Sequence, residues 1–181
     1  MRRIIMWNLV TLDGYFEGVE PWSLDWHETV WGEELERFSL DQARTADMLL
    51  FGRRTFEGMA AYWKTASGEI ADFMNAVPKV VCSRTLEQAD WHNSRLVRDA
   101  AAEVARLKAE PGRDIYIFGS ADLCDALTGA GLIDEYRLCL VPLLLGNGNR
   151  LFKPGGGRHT MALREARPLG NGCVILRYRP A

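Results

Sequence analysis

Residues 114–127 read DIYIFGSADLCDAL, and this stretch carries the main fold signal of the chain. Its opening apolar run has the length and composition of a buried β-strand. The run stops at Gly119 and Ser120, and a helical pattern follows at once, with Leu123 and Leu127 four residues apart on one face. A strand that passes into a helix without a connecting loop is typical of open α/β sheets, in which the helix N-terminus faces a bound anion.

Strand-like and helical patterns alternate along most of the chain. Short apolar, β-branched runs predict strands, and apolar residues at spacings of three and four predict helices. This order predicts a three-layer α/β/α fold with a central, mostly parallel sheet and an antiparallel C-terminal edge, in one domain over residues 1–181. The predicted strands are 2–10, 47–52, 79–83, 94–97, 114–118, 133–145, 159–167 and 173–179. The predicted helices are 29–45, 54–63, 69–76, 100–110 and one that follows Ser120 and ends near Gly129 and Gly131.

Composition argues against several classes of protein. The formal net charge is −2, whereas a nucleic-acid-binding domain shows a basic surface. No apolar run approaches the roughly 20 residues that span a bilayer, and residues 1–10 indicate a first strand rather than a signal peptide. The four cysteines form no CxxC pair and lie in apolar segments, which predicts free thiols in a reducing cytoplasm and no metal site: Cys82, Cys124, Cys139 and Cys173.

Three predicted strands end in turns rich in Gly, Ser, Thr and Arg. The carboxyl ends of parallel strands lie at one edge of a sheet, so we expect these turns to face one ligand. Helix N-termini offer unpaired N–H groups, glycine allows close approach, and arginine adds a permanent charge. If all three turns face one ligand, that ligand should carry several phosphates, although the sequence contains neither GxxxxGK[ST] nor GxGxxG. The alternative is that Gly-Ser is only a turn with a helix N-cap and that the arginines are solvated. The residues of the three turns are Gly52, Arg53, Arg54 and Thr55; Ser83, Arg84 and Thr85; and Gly119, Ser120, Ala121, Asp122 and Leu123.

The stretch PWSLDWHETVW (21–31) concentrates aromatic and ionisable side chains. Trp22, Trp26 and Trp31 can stack on a planar ring. Asp25, His27 or Glu28 can bind ring nitrogens or deliver a proton. The alternative is that the tryptophans belong to the core and the charges are solvated.

Several motifs resemble a known superfamily. FGRRTFEG resembles the strand-to-helix turn of dihydrofolate reductases. TLDGYF, VCSRT, IFGSADL and GLIDEYRLCLVPLLLGNGNRLF resemble the reductase domains of riboflavin biosynthesis and their stand-alone relatives. The ordered set covers nearly the whole chain. The resemblance implies that the three turns bind NADPH and that hydride passes to a planar pyrimidine or pterin, or to its ring-opened ribosylamino form, as in 5-amino-6-(5-phosphoribosylamino)uracil reductase.

The resemblance also suggests residues of the catalytic half. Asp13 in TLDGY matches the family's aspartate near the nicotinamide, and its other interpretation is a turn aspartate before Gly14. The Pro-Trp pair at 21–22 resembles that of dihydrofolate reductases, in which a later carboxylate binds the pterin. Asp25 and Glu28 are the candidates for that carboxylate, and the spacing favours neither.

Two residues depart from the family pattern. Ser120 stands where relatives have the second of two glycines joined by a cis peptide, and Asp122 stands where dihydrofolate reductases often have a basic residue. A carboxylate there would repel a 2′-phosphate, for which Arg53, Arg54 and Arg84 can compensate. The alternatives to the reductase are dihydrofolate reductase proper and a non-catalytic nucleotide-binding protein of the same fold.

The resemblance implies a homodimer, because relatives in the riboflavin branch commonly pair. The apolar run YRLCLVPLLL (136–145) gives separate support if it forms an edge strand, and none if it lies inside the sheet. The zinc deaminase that is often fused to these reductases requires H-x-E and P-C-x-x-C, and neither occurs. The residues GNGNRL (146–151) are interpreted as a tight turn.

Overall fold

The computed structural model describes residues 2–181, along which strands and helices alternate. The strands are β1 (Ile4–Thr11), β2 (Tyr15–Glu17), β3 (Ala46–Gly52), β4 (Lys79–Cys82), β5 (Ser94–Val97), β6 (Asp114–Phe118), β7 (Glu135–Val141), β8 (Asn149–Arg150), β9 (Met161–Pro168) and β10 (Val174–Pro180). The helices are α1 (Glu33–Thr45), α2 (Arg53–Trp63), α3 (Glu69–Ala76), α4 (Ala100–Ala109) and α5 (Ala121–Gly129), and a 3₁₀ turn covers Asp25–His27.

Eight strands form one sheet in the order β5-β4-β3-β6-β1-β7-β10-β9. The first six of these are parallel to their neighbours. β10 pairs antiparallel with both β7 and β9, which forms the C-terminal edge. The prediction of a mostly parallel α/β sheet with an antiparallel edge is confirmed. β2 and β8 form a separate two-stranded sheet over the rim.

The sheet buries both of its faces, which explains the continuous apolar runs of its central strands. Neighbouring residues of β1 point to opposite faces: Trp7 belongs to one core cluster and Met6 to the other. Helices α1, α2 and α3 cover the Trp7 face, and α4 and α5 cover the Met6 face. The helix side chains that do so include Leu35, Phe56 and Met74 on the first face and Val104, Leu123 and Leu127 on the second.

The helix predicted from residue 29 begins later, at Glu33. Its N-cap is Gly32, whose backbone is extended, so residues 29–32 lead into the helix rather than forming its first turn. Trp31, which fits the helical spacing, is therefore 49% exposed, and Trp26 occupies the core instead at 5%. Apolar spacing alone could not distinguish the two tryptophans.

The strand predicted over 133–145 ends at Val141, before Pro142, which has no N–H to donate to a ladder. β7 lies between β1 and β10, so it is not an edge strand. Because β7 is not an edge strand, the apolar run 136–145 gives no support for a dimer. The edge of the sheet on this side is β9, which carries charged residues that discourage edge-to-edge pairing: Arg164, Glu165 and Arg167.

Residues 146–148 form the turn into β8, and Asp13 anchors it. The predicted turn over 146–151 is shorter in the structure, because Asn149 and Arg150 pair with β2. The Asp13 carboxylate accepts hydrogen bonds from Thr11 Oγ1 at 2.6 Å and from the amides of Leu145 at 3.1 Å and Gly146 at 2.7 Å. The Thr11 bond is the largest cause that lowers the pKa of Asp13 to about 2. Among residues 2–181, no helix has both the length and the hydropathy that a bilayer crossing requires.

Candidate active site

A cleft of about 1370 Å³ follows the carboxyl rim of the parallel strands. All three turns singled out by the sequence contribute to its walls, through 52–55, 83–84 and 119–123. Other walls come from β1, from α1, α2 and α3, from residues 98–100, and from the segments 16–31 and 148–154. The position of this cleft agrees with the rule that ligands bind beyond the carboxyl ends of parallel strands.

Two helices begin at this cleft without a side-chain cap. Gly52 occupies the N-cap of α2 and Ser120 that of α5, and neither provides a side-chain hydrogen bond to the first turn. The first N–H groups of both helices are therefore available to a bound anion, and both helix dipoles favour negative charge there. By contrast, Asp99 caps α4 by accepting a hydrogen bond from Ala102 N at 3.0 Å.

Two hydrogen bonds join the turns after β3 and β6. Ser120 Oγ accepts from the Gly52 amide at 2.8 Å, and the Ser120 amide donates to Thr55 Oγ1 at 3.0 Å. The Ser120 hydroxyl is thus used to link the turns and not to cap α5. Gly119 and Ser120 both have positive φ, +63° and +59°, and the peptide bond between them is trans. A Cβ on Gly119 would lie 3.0 Å from Thr55 Cγ2, so the turn requires glycine there.

The third turn is built around Ser83. Its Oγ accepts from the amides of Thr85 at 3.2 Å and Leu86 at 2.9 Å, and Arg84 lines the cleft. Thr85 is exposed and is not among the cleft-lining residues, so the structure does not bring it to the site with Arg84. Arg98 supports the turn by donating from Nη1 to the carbonyl oxygens of Ser83 at 2.8 Å and Leu86 at 2.7 Å.

The charges around the turns favour an anionic ligand. Asp122, the departure noted in the sequence, forms an ion pair with Lys153, which offsets its repulsion. Arg53 pairs with Glu57 at 3.2 Å across one turn of α2. Arg54 and Arg84 form no ion pair within residues 2–181 and line the cleft.

The aromatic loop, residues 21–31, brings fewer of its predicted side chains to the cleft than the sequence suggests. Trp22 lines the cleft, and its amide donates to Glu17 Oε2 at 3.0 Å. Its indole lies against α2 so closely that a Cβ on Gly58 would be 2.4 Å from Trp22 Cε3. Trp26 is buried in the core instead of lining the cleft. Trp22 and Trp31 are thus the tryptophans of segment 21–31 that line the cleft, and Trp26 is not.

His27 is the ionisable group of this loop that reaches the cleft. Asp25 and Glu28 are exposed and do not line it, because the 3₁₀ turn directs them to solvent. Burial lowers the pKa of His27 to about 4, although Asp25 raises it, so the imidazole is neutral at pH 7. His27 Nε2 is buried and has no hydrogen-bond partner in the described chain. Asp13, held in its turn, does not line the cleft either.

Several cleft residues were not foreseen. Arg98 follows β5 directly, so the strand-end rule extended to that strand would have found it. Lys153 lies in KPGGGR, which has no strand beside it in the sequence. Asn8, Ser39 and Gln42 line the cleft from predicted core or helix segments, where a single sequence gives no signal for a binding role.

Solved structures share this fold. A protein assigned to riboflavin biosynthesis in Shewanella sp. PV-4 has a TM-score of 0.84 at 20% identity, covering 99% of both chains. The deaminase/5-amino-6-(5-phosphoribosylamino)uracil reductase of Thermotoga maritima has a TM-score of 0.70 at 12% identity, covering 99% of this chain and 57% of that one. Dihydrofolate reductase of Enterococcus faecalis, complexed with NADP(H), has a TM-score of 0.65 at 12% identity, covering 98% and 96%. The fold is therefore the dihydrofolate reductase-like fold.

The sequence comparison is more specific. The chain matches the RibD C-terminal domain over residues 2–175. It is 30% identical to the uncharacterised protein YyaP of Bacillus subtilis, a match that covers 98% of this chain and 94% of that protein. The chain belongs to the RibD C-terminal domain family, which confirms the resemblance seen in the sequence motifs.

Proposed function

We propose that the protein is an NADPH-dependent reductase that transfers a hydride to a planar nitrogen heterocycle, a pyrimidine or pterin, or to its ring-opened ribosylamino form. The observation that carries the proposal is the convergence of two uncapped helix N-termini on one cleft whose other half is aromatic. The uracil reductase activity named for the Thermotoga neighbour supports the reaction class, and the NADP(H) of the Enterococcus neighbour supports the cofactor.

The outer half of the cleft fits the phosphates of NADPH. The N–H groups of 53–55 and 121–123 would bind the pyrophosphate, because two helix N-termini present them to one place. Arg54 and Arg84 would bind the 2′-phosphate, since neither charge is neutralised by an ion pair in the described chain. When bound, NADPH supplies the hydride.

The inner half of the cleft, which is the part lined by Trp7, Leu9 and Trp31, fits the acceptor. Trp7, Leu9 and Trp31 line it with apolar surface, against which a planar ring can stack. His27 Nε2 is the atom at which we expect a proton to be held, because an imidazole accepts or donates there and the structure leaves it without a partner. Trp22 and Gly58 close the side next to α2.

The test is oxidation of NADPH in the presence of a panel of pyrimidines, ring-opened ribosylaminopyrimidines and pteridines. We expect NADPH to bind and at least one pyrimidine or pteridine to be reduced, with NADH a weaker donor. Binding of NADPH without reduction of any panel member would favour the non-catalytic nucleotide-binding protein. Failure of NADPH to bind would contradict the proposal.

Dihydrofolate reductase proper is less well supported than a pyrimidine reductase. A pterin edge that presents an amino group and a ring N–H is bound well by a carboxylate. Asp25 and Glu28, the candidates for that role, lie outside the cleft. Rapid oxidation of NADPH with dihydrofolate alone would nevertheless favour this alternative.

We also propose that residues 1–181 act as one reductase domain, in the cytoplasm and as a homodimer. The four free thiols support a reducing compartment. The dimer rests on the family resemblance, since β7 lies inside the sheet. Light scattering tests it: twice the 20.4 kDa chain mass is expected, and 20.4 kDa at micromolar concentration would contradict it.

A further inference from the structure

Gln42 is a buried polar residue at the inner end of the cleft. It lies in α1, is only 3% exposed, and lines the cleft together with Ser39 and Ala43. A polar side chain is costly to bury unless its donors and acceptors are paired. The Gln42 amide oxygen is paired, with Arg137 Nη1 at 3.3 Å. The Gln42 Nε2 group makes no hydrogen bond within residues 2–181.

The orientation of the Gln42 amide is fixed by Arg137. A guanidinium group only donates hydrogen bonds, so the amide end that faces Arg137 must be the oxygen. Arg137 is 7% exposed and is held by Glu135 Oε1 at 2.6 Å and by Tyr116 Oη at 2.8 Å. The NH₂ group of Gln42 is therefore turned away from Arg137, and it remains the donor of a side chain that lines the cleft.

Arg137 is held in place by a strong ion pair with Glu135. Glu135 is completely buried, and burial alone would raise the pKa of its carboxyl group. Hydrogen bonds from Arg137 and Arg179, together with the charges of Arg137 and Arg177, outweigh burial and lower that pKa to about 2. Arg177 and Arg179 each donate to Glu135 within 3.0 Å, so Glu135 keeps two partners even without Arg137.

The remaining polar groups of the inner half are neutral. His27 is uncharged at pH 7, and Ser39 Oγ donates to Leu35 O at 2.9 Å inside α1. The three carboxylates that line the cleft all have partners: Glu17 with Trp22 and Asn149, Glu57 with Arg53, and Asp122 with Lys153. Asn8 Nδ2 is a second amide donor without a partner in the described chain, and nothing fixes its orientation. This half therefore offers one donor held in place by an ion pair, Gln42 Nε2, and no competing carboxylate.

We propose that Gln42 Nε2 donates a hydrogen bond to a ring carbonyl oxygen of the acceptor, and that the Glu135–Arg137 ion pair sets the selectivity of the site by fixing this amide. The inference relies on the proposed function in one respect, which is that the acceptor is a planar heterocycle. A ring that presents an amino group at this position would meet another donor and leave both unpaired. Gln42 is thus a specificity-determining residue and Arg137 a positioning residue.

The test compares two probes of equal size, 5-aminouracil with ring carbonyls and 2,4-diaminopyrimidine with amino groups. Their affinities are measured by calorimetry with the protein saturated with NADP⁺, so that binding is separated from turnover. We expect the parent protein to bind 5-aminouracil about tenfold more tightly, the value of one discriminating hydrogen bond. Absence of reductase activity would contradict the proposed function and leave this comparison intact.

Two substitutions at Gln42 give opposite expectations. Gln42→Leu removes the donor and should weaken 5-aminouracil binding about tenfold without changing NADP⁺ affinity. Gln42→Glu keeps an acceptor for Arg137 but presents an oxygen to the cleft, so the preference should reverse in favour of 2,4-diaminopyrimidine. The matched control is Gln88→Leu, at the chain's exposed second glutamine, which should behave as the parent.

Arg137→Met tests the positioning role. Glu135 retains Arg177 and Arg179, and the Gln42 amide becomes free to turn, so the two probes should bind with affinities within about threefold of each other. A variant that is only less stable would bind both probes more weakly and would keep the ratio of their affinities. The proposal is overturned if the parent binds both probes equally, prefers 2,4-diaminopyrimidine or binds neither, or if Gln42→Leu and Gln42→Glu keep the parent's ratio.

Discussion

The Gly52 amide donates a hydrogen bond to Ser120 Oγ at 2.8 Å, although the two residues are 68 positions apart in the chain. A second bond runs in the other direction, from the Ser120 amide to Thr55 Oγ1 at 3.0 Å. The N-termini of α2 and α5 are therefore fixed relative to each other before any ligand arrives. Preorganised donors bind an anion without the cost of ordering them.

Thr55→Val removes the hydroxyl that accepts from Ser120 while keeping the shape of the side chain. The Ser120 amide, in a residue only 7% exposed, would lose its partner, which costs about 1–3 kcal/mol. We expect the NADPH dissociation constant to rise several-fold and the melting temperature to fall. Thr65→Val is the control, because Thr65 is exposed at the end of α2. Unchanged NADPH affinity in Thr55→Val would mean that the linked turns do not bind the cofactor.

Gly119→Ala places a Cβ at a residue with φ of +63°, 3.0 Å from Thr55 Cγ2. The left-handed conformation costs an alanine about 1–2 kcal/mol, and the contact pushes Thr55 away from Ser120. We expect NADPH affinity to fall at least about tenfold. Gly129→Ala, with nothing within 4 Å, should bind NADPH like the parent. Equal NADPH affinities of Gly119→Ala and Gly129→Ala would show that the turn at Gly119 does not bind the cofactor.

Arg84→Gln tests the choice between NADPH and NADH. One charge-assisted hydrogen bond to the 2′-phosphate contributes about 1.5–3 kcal/mol, which corresponds to tenfold or more in affinity. We expect the parent to prefer NADPH by that factor and the variant to lose most of the preference, with NADH binding unchanged. Arg44→Gln, at an exposed arginine of α1, serves as the control. Fluorescence titration with both cofactors measures the effect, and a parent that binds them equally refutes it.

Gly58→Ala should displace the indole of Trp22, since the new Cβ would lie 2.4 Å from its ring. Alanine is intrinsically about 1 kcal/mol better than glycine inside a helix, so a gain in stability is the outcome if the contact can relax freely. We expect no such gain, a shift in tryptophan emission and a several-fold higher KM for the acceptor. Cofactor affinity should be retained, and a more stable variant with unchanged KM would show that Trp22 does not shape the acceptor site.

The buried His27 should make stability depend on acid pH. Its folded pKa, about 4, lies below the ordinary value of 6.5, so the unfolded state binds more protons between these two values. The free energy of unfolding should therefore fall by up to about 3 kcal/mol as the pH drops through this window. His27→Gln should lose this component, whereas His92→Gln, at an exposed residue, should keep it. Parallel pH profiles for parent and His27→Gln would rule the effect out.

The sheet and the phosphate side of the cleft could be predicted because their signals are local. Gly52 and Gly119 follow apolar runs and precede helices, so strand, turn and helix are visible within a few residues. The acceptor side depends on the path of a loop. Trp26 and Trp31 are equally apolar, and only the structure shows which of them the loop 18–32 carries into the core.

Gln42 shows a different limit of the sequence. A glutamine in a helix indicates a solvated face, and nothing nearby predicts burial. Its partner Arg137 lies 95 residues later, on a strand whose pattern indicates only a buried run. Such long-range pairs of polar side chains arise from tertiary packing and have no local sequence signature.

A crystal structure of the protein with NADP⁺ is the most direct test of the proposed cofactor site. We expect pyrophosphate oxygens within hydrogen-bonding distance of the amides of 53–55 and 121–123, and the 2′-phosphate beside Arg84. We also expect the nicotinamide at the aromatic half of the cleft, towards Trp7. A dinucleotide bound elsewhere, or one whose phosphates avoid both helix N-termini, would contradict the proposed site.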